Sequence, residues 1–343
     1  MSSSVAVQIG PGLAALHAEM AKQHRDALAS FRANDDVAGK IAASLRRTGR
    51  LVLLGMGGSH AVNRMAEPDY RALGLPAVAL SLSEQLYSPL SLENATVLLT
   101  SQSGESAEVH RLFANKAPHG DMFGITMEVG SALAKACPSL IGAGGSEQAF
   151  CATRSLLICL TLHQLVVGKL GGDTRPALAI LEAPQEPSID AACARLKDCT
   201  AIVFSGRGQR GLGEAAALGA MELGRMPAYA LEGGQFRHGP MEILGPKIGA
   251  VIFRADEEAA ALGDDLALQT VTAGSPTILF DASGAASKAA GVGALHIAFK
   301  PARGMSASLA MLPAAQRLVI GLAAQRVADV GTPVRSSKVT RVE

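Results

Sequence analysis

Short apolar runs bounded by turn residues recur along the chain at 51–54, 76–80, 95–99, 122–126 and 138–141. Runs this short, rich in Leu, Val and Ile and separated by stretches of helical period, predict strands of a parallel sheet buried on both faces by helices. Ahead of the first run, Leu13, Leu16, Met20, Leu28 and Phe31 stand at helical intervals. They predict one or two amphipathic helices over about 11–33. Asn34-Asp-Asp36 reads as a turn and cap, and Arg46-Arg-Thr-Gly-Arg50 closes the helix that follows. A long helix is expected after Gly142-Ala-Gly-Gly-Ser-Glu147, reaching about Leu170. Gly171-Gly-Asp-Thr-Arg-Pro176 reads as a linker.

The pattern then begins again. The run 200–204 leads into Gly206-Arg-Gly208 as the run 51–54 leads into Gly55-Met-Gly57, and Pro227-Ala-Tyr-Ala-Leu231 answers Pro76-Ala-Val-Ala-Leu80. Both pairs are separated by 151 positions (Gly55 to Gly206, Pro76 to Pro227). A constant separation across strand, loop, helix and strand predicts a duplicated α/β unit. Further strands are expected near 249–253, 276–280 and 295–299, then a helix from about Ser306 to Val330 and a polar tail. The expected fold is thus α/β, with two tandem doubly wound domains, each a mostly parallel sheet flanked by helices. The divisions are 1–33 for an N-terminal helical segment, 34–175 and 186–330 for the two domains, and 331–343 for the tail.

Composition narrows the class. With 48% hydrophobic but only 3% aromatic residues and 37 glycines, the core must be aliphatic, with close helix–sheet packing. A formal charge of +1 gives no electrostatic case for nucleic acid or a membrane surface. The five cysteines are scattered without a C-x-x-C pair, and the eight histidines make no ligand spacing. Reduced thiols in the cytoplasm and no metal site are therefore expected. The Met1–Ala6 stretch has no basic segment leading into an apolar one, so no leader is expected. The apolar run 155–167 is interrupted by Thr161, His163 and Gln164 and is too short to span a bilayer.

Candidate chemistry concentrates in Thr100-Ser-Gln-Ser-Gly-Glu-Ser106, between a strand and a helix start. A tight polar loop there aims backbone N–H groups and hydroxyls at one spot, with the positive end of a helix dipole behind it. That is a phosphate receptor. Ser101, Ser103 and Ser106 supply hydroxyls, Gln102 an amide, and Gly104 the turn. The turn Gly55-Met-Gly-Gly-Ser-His60 resembles a dinucleotide fingerprint. However, His60 holds the third glycine position and the next strand ends in Ser81 with no acid for a ribose, which argues against a nicotinamide cofactor. Ser59 could add a hydroxyl to the phosphate site. The second copy has no serine-rich loop, and its third strand leads into Arg254-Ala-Asp-Glu-Glu258. Its distinctive residues are Glu222, late in a helix, and His238 in Gly233-Gly-Gln-Phe-Arg-His-Gly-Pro240. Taken alone, Glu222 reads as a solvated helix face, His238 as a surface or capping residue, and Lys338 as a solvated terminal lysine.

Together these residues resemble the sugar isomerase (SIS) family in its two-domain form. Ser101-Gln-Ser-Gly-Glu105 is similar to that family's phosphate loop, and Gly57-Gly-Ser59 to its first glycine/serine turn. Phe236-Arg-His-Gly-Pro240 is similar to its histidine loop, and Lys338-Val-Thr-Arg-Val-Glu343 to its lysine tail. The resemblance implies that Ser59, Ser101, Gln102, Ser103 and Ser106 hold the phosphate of a sugar, with Gly57, Gly58 and Thr153 also at the substrate. It implies Glu222 as the base that moves a proton between C1 and C2. His238 would assist ring opening from a neighbouring subunit. Lys338 would meet the open-chain sugar or form a Schiff base with it. The activity implied is that of a phosphosugar isomerase or deaminase acting on a ketose or amino-sugar phosphate, without a cofactor, in a homodimer with shared sites. The alternative is a non-catalytic sugar-phosphate sensor. Gly219 stands where the family's transaminases carry a lysine, and Ala152 where several members carry serine.

Overall fold

Residues 10–114 and 120–341 are described in the structure, a computed structural model of the chain. The Met1–Ala6 stretch and the last two residues of the tail motif lie outside the described residues. The apolar runs form two five-stranded parallel sheets. The first contains β1 (Leu51–Gly55), β2 (Ala77–Ser81), β3 (Thr96–Thr100), β4 (Asp121–Thr126) and β5 (Ser139–Ile141), in the order β2-β1-β3-β4-β5. The second contains β6 (Ala201–Gly206), β7 (Ala228–Glu232), β8 (Ile248–Ala255), β9 (Thr277–Ala282) and β10 (Leu295–Ala298), in the order β10-β9-β8-β6-β7. Read from its other edge, this is the winding of the first. Leu51 pairs with Ala77 and Ile202 with Ala228, so strand register keeps the separation of 151. It lengthens by the third strand, where Leu51 pairs with Thr96 but Ile202 pairs with Gly249.

Helices cover both faces of the first sheet: α1 (Pro11–Met20), α2 (Gln23–Ala33), α3 (Asp35–Thr48), α4 (Gly57–Ala72), α5 (Leu82–Tyr87), α6 (Ala107–Ala114), α7 (Ala132–Ala136) and α8 (Arg154–Lys169). The second half adds α9 (Arg175–Glu182), α10 (Asp190–Leu196), α11 (Arg210–Gly224), α12 (Gly233–Arg237), α13 (Ala260–Thr272), α14 (Lys288–Gly291) and α15 (Gly304–Ala324). Local chemistry sets several ends. Asp35 and Asp36 open α3, Arg46 and Arg47 close it, and Gly49 takes the left-handed conformation beyond it. Ser81 and Glu84 form a capping box on α5.

Of the one or two helices expected at the N-terminus, the structure has two, α1 and α2. Three expectations shift. Asn34 makes no side-chain cap; its amide instead donates to the Ser30 and Ile141 carbonyls and accepts from the Ile141 N–H, pinning the α2–α3 corner to β5. The stretch read as a linker gives way to α9 at Arg175, with Pro176 in its first turn. The last helix ends at Ala324, short of Val330.

One apolar cluster runs through both halves, drawing residues from α4, α8, α11 and α15 as well as from both sheets. The approach of α11 to α4 depends on Gly211, where a Cβ would lie 2.4 Å from the Met65 nitrogen. Helix α15 is long and apolar enough to cross a membrane by length and composition, with a mean hydropathy of 1.4, yet 83% of that window is buried inside the fold. Its apolar faces form the joint between the halves.

Candidate active site

Winding β1 beside β3 brings the loops after these strands together, at the point where the strand order reverses. Gly55 pairs with Thr100, so the Gly57-Gly-Ser59 turn and the serine loop leave the sheet side by side. They line one cleft of about 340 Å³ with Glu222 of α11 and Lys338 of the tail. Of the residues named for substrate or chemistry, Gly57, Gly58, Ser59, Ser101, Gln102, Ser103, Ser106, Glu222 and Lys338 all meet there.

The loop is set to donate. It turns at Gly104 with φ 63°, where a Cβ would come within 2.4 Å of Ser131 Oγ. The Ser101 hydroxyl oxygen accepts from the Gly104 N–H at 3.1 Å, Ser103 from Glu105 at 3.2 Å and Ser106 from Val109 at 3.4 Å. A hydroxyl that accepts in this way still has its proton for a second partner. Beneath the loop runs a buried polar chain. Thr100 Oγ1 donates to Asn63 Oδ1 at 2.8 Å, and Asn63 Nδ2 donates to the Leu54 carbonyl. His163 Nε2 lies 3.1 Å from the same Asn63 oxygen, and Tyr70 Oη lies 3.2 Å from His163 Nδ1. Because Asn63 Oδ1 can only accept, His163 carries its proton on Nε2 and accepts from Tyr70. Burial pushes the imidazole down to about 3, so it stays neutral.

The tail crosses the cleft and is tied there through Thr340 and Lys338. The Thr340 carbonyl accepts from the Ala107 N–H, the first residue of α6, at 3.0 Å. Lys338 Nζ donates to Glu147 Oε2 at 3.1 Å. Glu147 is a residue that sequence reasoning missed. Burial opposes its charge, but the Lys338 ammonium, the Ser155 hydroxyl at 2.6 Å and the Thr153 N–H at 2.8 Å outweigh it, and the carboxyl is held below its usual range. No local signal marks it, since it ends a glycine-rich stretch and its partners come from the start of α8 and from the tail. Thr153 does not line the cleft: it is buried behind it, with its hydroxyl on Glu147 Oε1 at 3.1 Å. Its place here is as a support for Glu147.

Glu222 projects from α11 toward the same space. Burial lifts its carboxyl above the usual range, against a hydrogen bond from the Cys151 thiol and the Lys338 charge. Burial first, then Glu222, push the Cys151 thiol well up, so it stays protonated and donates. Gly219, one turn before Glu222, leaves that stretch of wall without a side chain. His238 does not reach the cleft of its own chain. It follows α12 on the exposed surface.

The equivalent place in the second sheet is filled. The third strand there brings in Arg254, buried, with Nη1 on Asp281 Oδ2 at 3.0 Å and Nε on the Ala260 carbonyl at 3.0 Å. The guanidinium is consumed by these partners. Among the described residues no group of three or more His, Cys, Asp or Glu could hold a metal ion.

No protein-family model matches the chain. Over 259 residues it is 27% identical to the isomerizing glutamine–fructose-6-phosphate aminotransferase of Aeropyrum pernix, a match covering 67% of this chain and 41% of that protein. The chain thus corresponds to less than half the length of that curated relative. Among solved structures, the C-terminal domain of the glucosamine–fructose-6-phosphate aminotransferase of Francisella tularensis superposes with a TM-score of 0.78 at 16% identity, over 93% of this chain and 98% of that one. The tagatose-6-phosphate ketose/aldose isomerase of Escherichia coli gives 0.77 at 18% identity, over 94% and 97%. The glucosamine-6-phosphate deaminase of Thermotoga maritima gives 0.67 at 21% identity, over 92% and 100%. At these identities the superpositions establish the fold. By that fold along nearly its whole length, and by sequence over two thirds of it, the chain resembles the two-domain sugar isomerase (SIS) family, as its motifs implied.

Proposed function

We propose that the chain is a phosphosugar isomerase or deaminase acting on a ketose or amino-sugar phosphate, with proton transfer between C1 and C2 and with or without release of an amine. The observation that carries this reading is the meeting of the serine loop, Glu222 and Lys338 in one cleft, although they lie far apart along the chain. The loop hydroxyls receive the phosphate, with the positive end of the α6 dipole behind them. Glu222, a carboxylate made more basic by burial, takes the proton from a carbon next to a carbonyl or imine and returns it to the neighbouring carbon. Lys338, ion-paired with Glu147, contacts the open-chain carbonyl, or, once deprotonated, adds to it and forms an imine with loss of water. His238 serves ring opening from a second copy of the chain. The test is deuterium exchange. A panel of glucosamine, fructose, galactosamine and fructosamine phosphates incubated in heavy water should show label at C1 or C2 of at least one. A phosphosugar that binds without any exchange would make the protein a sensor instead.

Two variants probe the parts. Replacing Ser101 and Ser103 by Ala should weaken phosphosugar binding by about 1–3 kcal/mol per lost charge-assisted bond, with the fold intact. Unchanged affinity in calorimetry would remove the phosphate assignment. Mixing His238→Ala subunits with Ser101→Ala/Ser103→Ala subunits should regain activity through hybrid sites that hold both wild-type parts. Mixed oligomers that form and stay inactive would show that His238 does not act across a subunit boundary.

A further inference from the structure

The cleft holds a buried acid that the reading above does not use. Glu108, in the first turn of α6, lines the cleft and is 6% exposed, and its Oε2 has no hydrogen-bond partner among the described residues. An acid in the first turn of a helix is favoured by the dipole, and that alone would account for Glu108 on an open surface. It does not account for burying a carboxylate oxygen without a partner, which costs free energy unless something fills its need. Gln102, which also lines the cleft, has its Nε2 buried without a partner. An unmet acceptor and an unmet donor that line one cleft and do not pair with each other describe the complement of a ligand. That ligand carries an oxyanion to take the amide N–H and a proton donor to serve the carboxylate. Phosphate alone would be repelled by Glu108, and Lys338 is the one cation among the residues lining the cleft.

We propose that Glu108 is a specificity residue of the cleft, accepting a hydrogen bond from a hydroxyl on the carbon chain next to the phosphate. This rests on the reading of the cleft as a phosphosugar site. Glu108 lies two residues beyond Ser106, at the phosphate end. The carbonyl or amine carbons belong at the other end, with Glu222 and Lys338, so the donor that meets Glu108 is a hydroxyl. The cleft therefore selects polyhydroxylated phosphate esters over plain ones, by leaving an acceptor unpaired when the hydroxyl is missing.

Calorimetry separates this from a structural role. The probes are D-glucitol 6-phosphate, n-hexyl phosphate and inorganic phosphate, each titrated into the full-length wild type, Glu108→Ala and Glu108→Gln. Glu108→Ala should weaken D-glucitol 6-phosphate at least tenfold and leave n-hexyl phosphate and inorganic phosphate unchanged or tighter, because a negative charge near the phosphate is gone. Glu108→Gln keeps an acceptor of the same size and should regain part of the D-glucitol 6-phosphate affinity; it carries the test if the alanine variant does not fold. Equal weakening of all three ligands, or no loss for D-glucitol 6-phosphate, would overturn the inference while leaving the phosphate cleft in place. A wild type that binds none of the three would overturn the phosphosugar reading, and this inference with it.

Discussion

Glu222→Gln is expected to lower kcat by about 10²–10⁴-fold while phosphosugar affinity stays close to that of the wild type, the contribution usual for a positioned general base. The amide keeps the shape and can still accept from the Cys151 thiol, so the wall of the cleft need not move. The proposed phosphate grip lies elsewhere, in loop hydroxyls whose hydrogen bonds do not involve α11. A loss confined to kcat is therefore the signature of a base, whereas equal losses in binding would mark a structural role. The pH dependence has a definite sign. The base works as the carboxylate, and burial has raised its pKa. Activity should then fall as pH drops through a value above the ordinary carboxylate range, and Glu222→Gln should abolish that limb. A variant with unaltered turnover would leave the cleft without its base.

Arg154→Met is expected to cost about 3–5 kcal/mol of stability, because it leaves buried Glu19 without its cation and buried Asp26 with only the exposed Arg25. Arg154 is 1% exposed at the start of α8. Its Nε donates to Glu19 Oε2 of α1 at 2.6 Å and its Nη1 to Asp26 Oδ2 of α2 at 3.1 Å. Nη1 also reaches the Ala143 carbonyl and Nη2 the Gly145 carbonyl, at 3.1 and 2.9 Å. One guanidinium thus joins two N-terminal helices to the loop that ends in Glu147. Arg154→Lys should recover little, since an ammonium cannot serve four acceptors in this fork. Adding Glu19→Gln and Asp26→Asn to Arg154→Met should regain much of the loss by removing the unpaired charges. Urea unfolding followed by circular dichroism reads these differences. A loss below about 1 kcal/mol for Arg154→Met would mean that water reaches the two acids.

Much of the scaffold was legible in order of residues. The strands were marked because a parallel sheet covered on both faces needs continuous apolar runs, and the duplicated unit because Gly55/Gly206 and Pro76/Pro227 keep one separation. The duplication was legible only through the second strand. Beyond it the register drifts from 151 to 153, because the connections between strands are free to change length while the sheet is not. The serine loop was legible because its residue types exceed what a helix start needs.

The sequence by itself determined the elements, the winding and the polar loop, since each is local chemistry repeated at a period or concentrated in a short stretch. Only the tertiary structure decided which polar residues share one space. Glu147, Glu108 and Cys151 carry no mark in their neighbourhoods: Glu147 is met by Lys338, 191 positions on, Cys151 by Glu222, and Glu108 Oε2 by no partner among the described residues. It also decided that Thr153 supports Glu147 from behind the cleft wall, that His238 is turned outward, and that Arg254 closes the second half where Ser101 opens the first. The physical reason is that burial and pairing are properties of a side chain's surroundings in space, and the surroundings here are assembled from both halves and the tail.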